Sequence, residues 1–143
     1  MRRTPAIALA SALIVAGCGS DETDPVDEYI AEGDRICALG TFQIGSEAQT
    51  RYGSPQPPPR RVEEFSSGVV VPTLRTEVLE KLRALTPPEG DERQVGAIYG
   101  ALENGIDALK ADPGLLAEAN TGGAFDEANR LAQAYGFAQC GQG

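Results

Sequence analysis

The chain has 143 residues, 41% of them hydrophobic and 23% charged, with 12 basic against 21 acidic side chains and a net charge of −9. That length supports one packed core rather than two, and the acidic balance repels nucleic-acid phosphates and anionic headgroups, so no nucleic-acid partner is expected. Histidine is absent, which excludes Ser-His-Asp and Cys-His catalysis, imidazole zinc sites and the usual proton shuttle near neutral pH.

The chain opens with Arg2 and Arg3, an apolar run from Ala6 to Ala16, and then Gly17 and Cys18. This is the layout of a cleaved secretory signal, and the run is well short of the roughly 20 apolar residues that a span requires. The tetrad Val15-Ala16-Gly17-Cys18 resembles the lipobox of bacterial lipoproteins. The resemblance implies a signal peptide over residues 1–17, acylation of Cys18 and attachment to the bacterial cell membrane from outside the cytoplasm. Residues 18–25 would then form a hydrated acidic tether, and 26–143 the folded domain. Two or more acyl chains hold firmly where one does not.

Of the three cysteines, that assignment leaves Cys37 and Cys140 in an oxidising compartment, where a disulfide is the default. It would close a loop of about 100 residues, which the chain-entropy picture values at roughly 4 to 5 kcal/mol. A free redox pair and a pair of metal thiolates compete with it. No CxxC supports the first, and two ligands make a poor zinc site.

Asp24-Pro25-Val26-Asp27 is a helix start, with Asp24 as N-cap, Pro25 in the first helical position and acidic side chains over the first turn. Val26, Ile30, Gly33, Cys37, Gly40 and Ile44 recur at alternating steps of four and three, one buried face that puts Cys37 inside. This helix should fade near Tyr52-Gly53. Four prolines in residues 53–59 exclude helix and mark a surface connection. From Arg60 to Leu85 helical character returns, with Phe65, Val69, Val70, Val71, Leu74, Val78, Leu82 and Leu85. Pro72 interrupts it, so the segment is either one kinked helix or two segments meeting at Gly68 to Pro72.

Thr86-Pro87-Pro88-Glu89-Gly90-Asp91 is a turn, with Asp91 as the next N-cap and Gln94 its reciprocal partner. The stripe Val95, Ile98, Leu102, Ile106 and Leu109 follows, flanked by Tyr99, until Asp112-Pro113-Gly114 breaks it. A last amphipathic helix spans Ala124 to Tyr135, with Phe125, Ala128, Leu131 or Ala132, and Tyr135 inward, and Gly136 stops it. Four helical segments on short connections argue for an all-α, single-domain antiparallel bundle stapled by one disulfide.

Three stretches carry a further resemblance. Tyr29 to Cys37 fits YxxxxxxIC, the middle VVVPTLRTEVLEKLRALTPPEGDE closes on L-x-x-L-x-P-P-x-x-D-E, and FDEANRLAQAYGFAQCG fits FxEANxxAxxYGxxxC. In order and spacing these are similar to a broad group of uncharacterised secreted proteins and lipoproteins from high-GC actinobacteria. The resemblance implies a paired Cys37 and Cys140 in an all-helical domain; the group has no assigned activity, so the resemblance carries over no catalytic residue.

The remaining candidates for chemistry are carboxylates such as Asp34, Glu77, Asp91, Glu103 and Asp107. Helix-terminal and solvated positions explain them without catalysis, so the expectation is no enzyme, no catalytic residue, no metal and no cofactor. Asp34 and Arg35 are placed as a local exposed pair. The helical glycines Gly33, Gly40, Gly45, Gly96, Gly100 and Gly105 each cost about 0.5 to 1 kcal/mol against alanine, so something should offset them. Close helix packing is the favoured reading, and an opening that admits a ligand is its rival. Two functions follow: a lipid-anchored, non-enzymatic body that meets an envelope protein, or a domain that binds or senses a small apolar ligand. An apolar cavity lined by Val69, Leu74, Tyr99 and Leu102 would favour the second, and a filled core the first.

Overall fold

The computed structural model describes residues 23–118 and 123–142. The signal run, Cys18 and most of the tether lie outside those residues. Among the described residues the chain is all helical and forms a single domain of four helices.

Helix α1 spans Pro25–Tyr52. Asp24 Oδ1 accepts the Val26 amide at 2.9 Å, and Pro25 fills the first turn, where a missing N–H costs nothing. Gly53 ends the helix in the left-handed conformation, φ 69°, returning its N–H to the Gln49 carbonyl. Both ends therefore fall where the residue types place them.

Helix α2 covers residues 59–83 and answers the question raised by Pro72. It is one continuous run, opening with a 3₁₀ turn at Pro59–Arg61 and containing π-helical stretches at Ser66–Val70 and Leu74–Leu79. Upstream of the proline the Val71 amide reaches back five residues to the Ser66 carbonyl. A proline ring clashes with the carbonyl four residues before it, and a widened turn is one way a helix passes that obstacle. Ser66 lies in this widened turn, fully buried, and its Oγ has no hydrogen-bond partner.

Helix α3 is Glu92–Ala111 and helix α4 is Asp126–Tyr135, with a 3₁₀ segment Pro113–Glu118 between them. The expected cap of α3 is not made. Asp91 stands at the N-cap position without a side-chain bond to the first turn, because its Oδ2 accepts the Tyr135 hydroxyl at 2.8 Å instead.

Successive helices run antiparallel. Gly33 faces Leu82 while Gly40 faces Val78; Arg83 pairs with Glu103 and Arg75 with Asp107; and Gly105 faces Phe125. The core between them includes Ile36, Phe65, Leu79, Leu82, Ile98, Ile106 and Leu109.

The helical glycines divide into two kinds. A Cβ on Gly33 would stand 2.5 Å from the Phe137 ring, one on Gly40 would strike Val78, and one on Gly105 would meet Phe125 and the Ala124 carbonyl. Close packing holds at those three. It does not hold at Gly45, Gly96 and Gly100, where nothing lies within 4 Å of an added Cβ. Gly40→Ala should therefore destabilise the fold by about 1–3 kcal/mol through overpacking. Gly96→Ala should stabilise it by about 0.5–1 kcal/mol through helix propensity. Urea unfolding of the two variants checks the opposite signs.

Candidate functional site

Between its helices the bundle holds an open-sided cavity of about 490 Å³, within the range of small-molecule sites. Its walls come from every helix. Helix α1 supplies Cys37, Thr41 and Ile44, a stretch of about 10 Å along the helix axis. Helix α2 supplies Val62, Phe65, Val70, Leu74, Val78 and Leu82, α3 supplies Ile98, Tyr99 and Leu102, and α4 supplies Ala128, Asn129 and Ala132. Exposed residues rim it: Pro55 and Gln56 from the proline-rich connection, Gln139 and Gln142 from the tail. No Asp, Glu, Lys or Arg is among the lining residues; its polar side chains are Thr41, Tyr99, Asn129 and the glutamines.

Three of the four expected lining residues, Leu74, Tyr99 and Leu102, stand in this wall, and Val69 does not. Val69 is buried in the core, and its neighbour Val70 takes the place in the lining. The reason is the π turn. Lining positions on α2 step by three from Val62 to Phe65, by five from Phe65 to Val70, and by four thereafter, whereas ordinary helical spacing gives no step of five.

Tyr99 anchors a buried hydroxyl chain. It donates to the Leu82 carbonyl at 2.9 Å and, with its one proton so used, accepts from Tyr29. Burial is the largest cause that raises the Tyr99 hydroxyl far above its ordinary value near 10, and the Tyr29 hydroxyl beside it adds to the rise. Burial also raises Tyr29, opposed by its bond to Tyr99. Tyr135 is raised by burial and then by the Asp91 carboxylate it faces.

The tail, residues 136–142, closes one side of the cavity. Gly136 turns the chain out of α4 at φ 117°, and Phe137 packs against Gly33, Tyr29 and Tyr135. Cys140 is bonded to Cys37, so the free-thiol and metal-thiolate alternatives do not apply. Asp34 is not paired with Arg35, which binds Glu32. Its carboxylate accepts the backbone amides of Ala138, Gln139 and Cys140 at 2.9, 2.7 and 3.1 Å. Sequence reasoning missed this role because its partners are main-chain groups more than 100 positions away.

Among the described residues, no cluster of His, Cys, Asp and Glu is arranged to hold a metal, and no helix is long and apolar enough to cross a membrane. No protein-family model, curated protein or solved structure matches the chain.

The three tyrosines set an alkaline limit. Each is held protonated in the fold, while in the unfolded chain it releases its proton near pH 10. The unfolded state therefore binds fewer protons above that value, so stability is intact below about pH 10 and falls as pH rises beyond it. Denaturant titrations above and below that pH should show the loss. Tyr99→Phe should make it shallower without abolishing it, since Tyr29 and Tyr135 remain, and the tyrosinate absorbance of these residues should appear only with unfolding.

Proposed function

We propose that the protein binds a small, neutral, apolar molecule inside its helical bundle and acts as an extracytoplasmic carrier or sensor rather than an enzyme. The observation that carries this reading is the cavity, because a chain this short gains stability by filling its core, and an apolar void costs free energy. The uncharged lining in so acidic a protein selects against ions, since a charged ligand would enter without a counter-charge. Asn129, Gln139 and Gln142 suit a carbonyl or hydroxyl at one end of the ligand.

Attachment through an acylated Cys18 is part of the same proposal. It rests on the lipobox resemblance and on the disulfide, which agrees with an oxidising compartment. The tether would hold the cavity close to the membrane surface, where apolar molecules concentrate. In this reading the membrane is the anchor and the source of the ligand.

Titration with the neutral fluorophore N-phenyl-1-naphthylamine tests it. Saturable binding at one site is expected. Leu102→Trp, which places an indole into the cavity, should weaken it at least about tenfold while leaving the helical circular dichroism unchanged. An unsaturable signal, or one indifferent to the indole, would sink the reading.

A further inference from the structure

The cavity is long and narrow. Its lining on α2 begins at Val62 and ends at Leu82, a separation that covers roughly 25–30 Å of helix. A volume of about 490 Å³ drawn out over that length is a column about 5 Å across. Carbon atoms touch at about 3.5–4.0 Å, so a single unbranched hydrocarbon chain fills such a column from end to end. A compact ring system leaves most of its length empty.

The two ends differ in polarity. At one, Leu82 and Phe137 meet beside Gly33, Cys140 is bonded to Cys37, and the amides of Asn129, Gln139 and Gln142 stand in the lining. Asn129 belongs to this end because its carbonyl lies 3.3 Å from where a Cβ on Gly141 of the tail would be. At the other end are Pro55, Pro57, Val62, Leu116 and Ala117, with Gln56 the one polar side chain. The stretch between is walled chiefly by Val70, Leu74, Val78 and Leu102.

Resting on the ligand-binding reading of the cavity, we infer that its occupant is one long, unbranched acyl chain, with a neutral carbonyl or hydroxyl end at the tail amides and the methyl end directed toward the proline-rich connection. A free carboxylate is disfavoured, since no Lys or Arg lines the column. Two sources supply this chemistry, a neutral membrane lipid and the acyl chain proposed on Cys18 itself. The second reaches the same mouth. The seven residues from Cys18 to Pro25 span up to about 24 Å, and Cys37 lies about 18 Å along α1 from Pro25. A chain entering there places its carbonyl at the amides and its methyl end deep in the column.

Isothermal titration calorimetry with 1-alkanols from hexanol to tetradecanol tests the inference, on the full chain carrying Cys18→Ser to remove the site of acylation. Affinity is expected to rise about threefold to fourfold with each methylene through tetradecanol, the equivalent of about 0.8 kcal/mol per buried CH₂. Leu74→Trp sets an indole about 12 Å from Leu82 along α2, beyond an octanol chain of about 10 Å but across the path of a tetradecanol chain of about 18 Å. It should weaken tetradecanol at least about tenfold and leave hexanol within about twofold, with Leu74→Phe as the milder variant should the indole disturb folding. Three outcomes would overturn the inference and leave the cavity as a site for compact molecules: affinities that level off at octanol without the indole, a Leu74→Trp loss equal at every length, or saturable N-phenyl-1-naphthylamine binding with none by the alkanols. Saturable binding by neither probe would remove the cavity reading as well. The acylated parent separates the sources. Binding equal to that of Cys18→Ser assigns the column to free lipid, and a column open only in the variant assigns it to the protein's own anchor.

Discussion

The bond between the start of the chain and its end is the constraint on which the architecture depends. Cys37 sits in α1 and Cys140 three residues from the end, and their disulfide spans 103 positions. It does not act alone. Asp34, one turn before Cys37, gathers three consecutive backbone amides of the tail, and Gly33 leaves room for the Phe137 ring. Charge-assisted hydrogen bonds of this kind are about twice as strong as neutral ones, and they satisfy donors that a non-helical tail would otherwise leave unpaired. Covalent, electrostatic and packing terms thus fall within a few residues of α1, holding the tail as a wall of the cavity.

The cavity follows from irregularity in α2. A regular helix from 59 to 83 would present a stripe of constant period to α1 and α3, and facing stripes of that kind interdigitate into a dry, filled core. The π turns on both sides of Pro72 shift the phase of the stripe. Val70 comes to line the void and Val69 goes into packing elsewhere, while Leu74 and Leu102 remain half-buried at the wall. Proline is the local cause, and the space inside the bundle is the consequence at the level of packing. Irregular helical turns of this type are found at functional sites more often than in plain scaffolds.

Charge is distributed with the same division of labour. The ion pairs, among them Arg83 with Glu103 and Arg130 with Glu127, lie on the outside, where they favour solubility and contribute little to stability. Inside, polarity is carried by hydroxyls and amides. Tyr29, Tyr99 and Leu82 form one continuous hydrogen-bonded chain across α1, α3 and α2, so these buried hydroxyls are matched, whereas the Ser66 hydroxyl in the widened turn of α2 is not.

Much of this was legible from residue types alone. Asp24 and Gly53 delimit α1, Gly136 ends α4, and the cysteine count pointed to the one disulfide, since caps and helix stops depend on groups within a few positions. Three features were not legible, each for a reason of distance or phase. Asp91 reads as a cap, yet a tyrosine 44 positions away takes its carboxylate. Asp34 reads as half of a surface pair, yet it holds the tail. Gly96 and Gly100 read as a packing face, yet they meet nothing. The sequence by itself determined the helices, their ends and their outward charge, because those depend on local hydrogen bonding and periodicity. Only the tertiary structure decided which glycines are crowded, which valine lines the void and where the carboxylates find their partners, because these depend on contacts between segments that no local pattern encodes.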